Sequence, residues 1–236
     1  MSDHRPLIER MHALVQKWEA VSDRRSIFLS CYLLMTRNMA AAVDADEFTN
    51  SAWVSTLIHR FADYYFDALE AYERDSPATQ AVWRQVHDAA SNPETLVLQN
   101  LQLGINAHIN YDLVLTLVDM LEPEWAALSD RGRNERYADY CYVNQIIGRT
   151  VDIVQDTVVE RLAPKLDIAD KMLGPIDEWI VSQLLTSWRD EVWSQGVRLI
   201  QLSKPSERET LRQQIETTAL KRAKTILLKN TPFINR

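Results

Sequence analysis

Apolar side chains recur every three to four residues along most of the chain, which is the spacing of helices that bury one face. The first such segment places Leu7, Met11, Leu14 and Trp18 on one stripe. Prolines, glycines and short polar clusters interrupt the pattern and mark the ends of segments. The pattern predicts helices over residues 6–21, 26–43, 51–74, 77–90, 95–121, 131–162, 168–173, 176–202 and 205–228.

This series of helices predicts an all-α fold. No internal repeat, low-complexity run or long linker divides the chain, so residues 1–236 form, in this interpretation, a single-domain multi-helix bundle of about eight to nine helices. Residues 95–121 are apolar around much of the helix circumference, which predicts a buried central helix. We expect the N-terminal helix (residues 1–25) and the C-terminal helix and tail (residues 204–236) at the periphery.

Composition narrows the class of protein. The chain has only 5 glycines, which speaks against an all-β fold with its many turns. Hydrophobic residues make up 46% and charged residues 25% of the chain, as in soluble globular proteins. The formal net charge of -7 speaks against a nucleic-acid-binding protein, which needs a basic surface.

Three further observations bear on the cellular compartment of the protein. The two cysteines, Cys31 and Cys141, are far apart and lack metal-binding spacing, which fits inert thiols in a reducing compartment. The first residues contain no apolar signal-peptide core. No uninterrupted apolar run reaches the ~18 residues of a membrane span. We therefore expect a cytoplasmic protein with no membrane span, and the oligomeric state stays open.

The most unusual stretch is "NAHINYDL", residues 106–113, inside the predicted central helix. Successive helical residues are about 100° apart, so His108 and Asp112 share one face. Asn106 and Asn110 share another face, nearly opposite. Burying such groups without partners would cost about 2–7 kcal/mol each, so each must meet a partner in the protein, in water or in a ligand.

Two kinds of chemistry fit this stretch. His108 can act as an acid or base that Asp112 orients, as in hydrolysis or proton transfer. Alternatively, His59 and Asp63 repeat the same spacing on another helix, and the four side chains could hold a divalent metal such as zinc. Such a metal could activate water for hydrolysis.

Other metal-binding patterns are absent from the sequence, including HExxH, CxxC and a repeated ExxH motif. Asp152 and Asp156 form one more pair spaced by four residues, which we interpret as a solvated helix face. No cofactor is therefore assigned, beyond the divalent metal that the His59 and His108 segments could share.

A tryptophan-rich helix contains the remaining candidate. Arg189 lies among aromatic residues in "SWRDEVWSQGVRL", which predicts a buried cation. Its natural partner is a buried carboxylate, and Asp112 or Asp139 would serve. A buried arginine–aspartate pair is a structural device as well as a catalytic one, so both roles stay open.

Several segments resemble one protein family. "LQLGINAHINYDLVLTL" (residues 101–117) closely resembles the signature of the bacterial domain-of-unknown-function family numbered 5995, whose members carry an "NAHIN-x-DL" core. "FADYYFDALEAY" (61–72), "YADYCYVNQII" (137–147) and "WRDEVW" (188–193) are similar to its flanking helices. The resemblance covers about residues 35–200. It implies an all-helical fold and no stated activity, substrate or cofactor.

Two hypotheses follow. In the first, the chain is an enzyme or binder of a small amphipathic molecule, with His108, Asp112 and Arg189 as the candidate catalytic residues. The candidate ligand-binding residues are then Asn106, Asn110, His59, Asp63 and Asp139. In the second, the chain is a non-catalytic helical scaffold, and the same polar residues form a satisfied buried network that sets helix register.

Overall fold

Helices account for the regular structure in residues 3–154 and 178–228, the part of the chain that the computed structural model describes. The prediction of an all-α, single-domain bundle is confirmed. In chain order the elements are α1 (Arg5–Ala20), α2 (Arg25–Asp44), α3 (Ser51–Glu73), α4 (Ala81–Ser91), α5 (Val97–Ala107), a π-helical turn (His108–Asp112), α6 (Leu113–Trp125), α7 (Asp130–Val154), α8 (Glu178–Gln201) and α9 (Pro205–Leu228). The Asp152 side chain, Asp156 and the short helix predicted over 168–173 lie outside the described residues.

Most helix boundaries follow from local sequence, with one clear exception. Asn50 caps α3 by accepting a hydrogen bond from the Trp53 amide at 2.9 Å. The helix predicted from residue 77, however, begins at Ala81. Ser76 explains the delay, because its carbonyl accepts both the amide and the hydroxyl of Thr79 in a separate turn. Pro77 therefore lies in that turn rather than in the first turn of α4.

The central helix runs from Val97 to Trp125 through the π-helical turn. Its two halves pack into two different apolar cores. Leu103 and Ala107 on α5 pack into a cluster shared with α1 to α4 and α9. Leu113 and Leu117 on α6 pack into a second cluster shared with α2, α3, α7, α8 and α9. The π-helical turn therefore lies where the buried helix passes from one core to the other.

One helix of the described chain, Arg25–Asp44, is long and apolar enough to cross a membrane by length and composition. Of its most apolar 18-residue window, 67% is buried inside the protein. Burial of this extent is also what a core helix of a bundle shows.

Candidate functional site

His108 and Asp112 form a buried pair in the π-helical turn. The Nδ1 atom of His108 lies 2.9 Å from Oδ2 of Asp112, as the spacing of four residues predicts. The two side chains are 4% and 0% exposed. The indole N–H of Trp83 on α4 donates to both carboxylate oxygens, at 3.1 and 3.0 Å. Asp112 thus joins an imidazole from its own helix to an indole from a neighbouring one.

Aromatic rings enclose the imidazole. Phe61 stacks on His108 face to face, with ring centroids 3.6 Å apart and planes 8° from parallel. Tyr32 meets the imidazole edge-on at 4.3 Å. Within the described chain, Nε2 of His108 is buried and has no hydrogen-bond partner. The cage is completed by three further buried rings, those of Phe28, Tyr65 and Trp83.

Burial governs the protonation of this pair. Desolvation lowers the pKa of His108 well below its ordinary value. Desolvation also raises the pKa of Asp112 well above its ordinary value, and the hydrogen bond from Trp83 opposes that rise. Both shifts favour the uncharged form of each group, in which the Asp112 carboxyl donates to Nδ1 and the imidazole proton is on Nε2.

The helix geometry at this point is itself unusual. Residues His108–Asp112 form a π-helical turn within an otherwise α-helical segment. Such turns are rare in proteins overall, but many of those that occur lie at functional sites, where they redirect side chains and backbone groups. The carbonyl of Asp112 accepts the Thr116 hydroxyl at 2.9 Å. Buried hydrogen bonds of the Asp112 side chain and of the Asp112 carbonyl therefore stabilise the turn.

The asparagine face has a different role. The side-chain amide of Asn106 donates to the carbonyl of Ala219 on α9, at 2.9 Å. Asn110 donates to Oδ1 of Asn106 at 3.1 Å. These contacts tie the central helix to α9, so the candidate ligand-binding residues Asn106 and Asn110 bind neighbouring protein groups in this structure.

The second histidine–aspartate segment does not join the first. His59 stacks on His4, with ring centroids 4.9 Å apart. The Asp63 side chain is 59% exposed and lies 3.9 Å from Arg60. Among the described residues, no three histidine, cysteine, aspartate or glutamate side chains are grouped so that they could hold a metal ion. The geometry thus gives no support to a metal shared by the His59 and His108 segments.

Arg189 has other partners than those expected. It is buried, but its Nε donates to Oδ1 of Asn144 and its Nη2 donates to the Tyr140 carbonyl, both at 2.7 Å. The expectation of Asp112 or Asp139 as its partner is wrong for the described chain. Asp139 instead accepts the main-chain amides of Thr49 and Asn50 before α3. Arg189 thus stabilises the packing of α7 against α8, and Asp139 stabilises the turn before α3. Neither is hydrogen-bonded to His108 in the described chain.

Trp83 and the individual cage residues are not among those predicted from the sequence. Trp83 is fully buried on an amphipathic helix, and that pattern alone predicts burial. Nothing in the pattern predicts which buried carboxylate its N–H meets. The other four cage rings lie on α2 and α3, where their spacing is also that of ordinary core residues.

Acidification should test the uncharged state of the buried histidines. Burial lowers the pKa of His87 to about 3, from 6.5. Its folded pKa is depressed, so its contribution to stability is complete above pH 6.5 and is lost as pH falls toward 3. Asp112 acts oppositely, because a raised pKa gives stability that is lost as pH rises above 3.8.

The difference between wild type and His87→Phe isolates His87 from Asp112. Urea unfolding at a series of pH values should show that His87→Phe loses less stability than wild type between pH 6.5 and 4. The exposed His12 provides a control, and His12→Phe should follow the wild-type slope. An unchanged slope in His87→Phe would contradict an uncharged buried His87.

Comparison with known proteins gives one match. The family described as "Family of unknown function (DUF5995)" matches residues 5–229, nearly the whole chain. No curated protein and no solved structure matched the chain.

Proposed function

The chain belongs to the family of unknown function DUF5995, and we propose that it is an acid–base enzyme acting on small, uncharged, amphipathic molecules. His108 is the group that exchanges a proton with the substrate. The observation that carries this proposal is the Nε2 atom of His108, which is buried in an aromatic cage without a partner among the described residues. A group left in this state costs about 1–3 kcal/mol, and a substrate that hydrogen-bonds to Nε2 would offset that cost.

Asp112 determines which form of His108 acts. When Asp112 is ionised, Nδ1–H of His108 donates to the carboxylate, and Nε2 presents a lone pair as a base. When the substrate proton arrives at Nε2, the Nδ1 proton can pass to Asp112 over 2.9 Å. Since burial raises the pKa of Asp112 and lowers that of His108, this transfer avoids a buried imidazolium. The reverse transfer returns the proton to the product.

Trp83 is a positioning residue in this scheme. Its N–H donates to both oxygens of Asp112 and so opposes the effect of burial, which gives the pair access to the ionised carboxylate, the form in which Nε2 is a base. The imidazole is surrounded by the rings of five aromatic side chains, so the favoured substrate is uncharged at the reacting group.

We infer that a substrate reaches Nε2 past Phe61. Phe28, Tyr32, Tyr65 and Trp83 are buried, whereas the Phe61 ring is half-buried and covers one face of the imidazole. Movement of this one side chain would open His108 to a flat apolar molecule of similar shape. Phe61→Ala should therefore make the site more accessible.

A base-catalysed ring opening offers a direct test. In 5-nitrobenzisoxazole a base removes one C–H proton, the C–H electron pair completes a nitrile, and the N–O bond breaks to give a phenolate. We expect wild-type protein to accelerate this reaction and Phe61→Ala to accelerate it further. His108→Gln should lower the rate of both by about 100-fold, the lower end of general base catalysis.

A change at an exposed histidine is the control for this test. His12→Gln, which changes an exposed histidine, should leave the rate unchanged. If neither wild type nor Phe61→Ala shows a rate that depends on His108, and neither hydrolyses uncharged nitrophenyl esters in a His108-dependent way, the enzyme proposal is wrong.

A scaffold role is the second candidate, and the asparagine face favours it. Asn106 and Asn110 are buried and bind the protein itself, including a main-chain carbonyl of α9. A network of this kind can set the register of neighbouring helices. Under this alternative, His108→Gln changes the free energy of unfolding, and neither wild type nor the variant accelerates the reaction.

A further inference from the structure

A second set of unpartnered polar atoms surrounds a small cavity on the other side of Trp83. The cavity has a volume of about 10 Å³, which is room for one water molecule. Its apolar walls are Phe28, Tyr65, Trp83 and Val86, and its polar lining includes His87 and Asn100. Three of these rings also belong to the cage of His108, so one aromatic layer separates the cavity from the acid–base pair.

His87 and Asn100 define what the cavity can hold. His87 is 2% exposed, and neither ring nitrogen has a partner among the described residues. Burial and the nearby Arg25 lower its pKa to about 3, so its ring is neutral at physiological pH and offers one N–H and one lone pair.

Asn100 supplies an acceptor. It is 4% exposed, and its amide nitrogen donates to the Leu96 carbonyl at 3.0 Å. This contact fixes the orientation of the amide and leaves Oδ1, which has no partner in the described chain. The two ring nitrogens point in different directions, so one small occupant donates to Oδ1 and hydrogen-bonds to the one imidazole nitrogen that it faces, either by accepting its N–H or by donating to its lone pair.

The cavity adjoins an open cleft. Arg24, Arg25 and Ala90 line both the cavity and a cleft of about 790 Å³ between the α1–α2 turn, the end of α3 and α4. That volume lies within the range of small-molecule sites. The cleft contains three arginines and four carboxylates, so it suits a polar molecule of either charge. At the shared mouth, the Arg24 guanidinium donates to main-chain carbonyls of Asn92 and Pro93.

We propose that His87 and Asn100 form a binding site for one small uncharged group that both donates and accepts hydrogen bonds, reached from the cleft. The group is either a resident water molecule or the hydroxyl or primary amide end of a molecule lying in the cleft. A charged group is disfavoured, because the His87 ring is neutral and the two arginines at the cavity already bind protein groups: Arg24 binds main-chain carbonyls, and Arg25 binds Asp23 and Glu73. The site is separate from the acid–base pair and does not depend on that proposal.

Trp83 provides the spectroscopic readout. Its ring lies 5.5 Å from the His87 ring, at 23°, and its N–H donates to Asp112. An occupant of the cavity therefore contacts the ring whose N–H signal can be followed by NMR. Loss of one signal in Trp83→Phe assigns it among the seven tryptophans.

The experiment has two arms on the intact chain. The first looks for water, through nuclear Overhauser contacts between water and the His87 ring protons and through electron density between His87 and Asn100. The second titrates acetamide and methanol and follows the Trp83 N–H signal. His87→Phe, which fills the cavity with an apolar ring, should abolish the water contacts and weaken probe binding about tenfold or more. His12→Phe should bind as wild type does.

Each outcome decides the proposal. Water contacts without a response to the probes identify the occupant as water. A saturable probe response that displaces those contacts identifies the site as one for hydroxyl or amide ends. Absence of both in wild-type protein overturns the proposal, and so does a probe response of equal strength in folded His87→Phe, with folding checked by circular dichroism.

Discussion

Replacing Gly104 with alanine is expected to lower the free energy of unfolding by about 2–3 kcal/mol. A Cβ atom at this position would lie 2.7 Å from Cβ of Phe28 and still closer to Cγ and Cδ2 of its ring. These atoms are near the root of the side chain, so a rotation about the end of the Phe28 side chain cannot relieve the clash. Either α2 or α5 must shift, and this cost exceeds the benefit of alanine over glycine in a helix, about 1 kcal/mol.

The shift would also disturb the candidate site. Phe28 is in ring contact with Tyr65, Trp83 and His108, each at 5.7 Å between centroids. Urea unfolding should therefore report the lost stability, and the ring-proton signals of His108 should move in the same variant. The close approach of α2 to the central helix thus depends on the absence of one methyl group.

Gly132→Ala is the matched control for this prediction. At that position the nearest atom to a new Cβ is the end of the Leu128 side chain, at 3.0 Å, which can move aside. Gly132→Ala should leave stability unchanged or raise it by up to about 1 kcal/mol. Equal losses in both variants would mean that the cost does not come from the contact with Phe28, and would contradict the packing explanation.

The sequence predicts the fold well because the fold depends on local periodicity. The apolar stripes, the Asn50 cap and the buried central helix all follow from residues close together in the chain. The π-helical turn does not follow, because its residues are ordinary for an α-helix. It is found where the buried helix changes from one apolar core to the other, a feature that arises only when the helices are packed.

The candidate site shows the same limit. His108/Asp112 and His59/Asp63 have identical spacing, yet the first pair is buried and hydrogen-bonded while Asp63 is 59% exposed. Spacing places two side chains on one face, but the neighbouring helix decides whether that face is dry. Arg189 shows the same limit for a residue whose burial was predicted correctly. Burial of this cation was predictable, but its partners, Asn144 and the Tyr140 carbonyl, depend on the crossing of α7 and α8.

Removing the carboxylate of Asp112 is expected to have the largest effect on stability. Asp112→Leu deletes the partner of two buried groups, Nδ1 of His108 and the indole N–H of Trp83. Two orphaned groups, at about 1–3 kcal/mol each, predict a loss of about 2–6 kcal/mol in the free energy of unfolding. Chemical denaturation at pH 7 measures it, and Asp63→Leu at the exposed matching position should cost less than about 0.5 kcal/mol.

The triple variant Asp112→Leu, His108→Leu, Trp83→Phe then separates the enzyme from the scaffold. It removes every member of the network at once, so no buried donor is left unpaired, and most of the lost stability should return. If the triple variant unfolds cooperatively and keeps dispersed NMR signals, the chain does not need the network to fold. That result removes the scaffold explanation of the network, and the His108-dependent rate then decides the acid–base role. If the triple variant instead loses cooperativity, the network sets helix register, and the scaffold is the better account of His108.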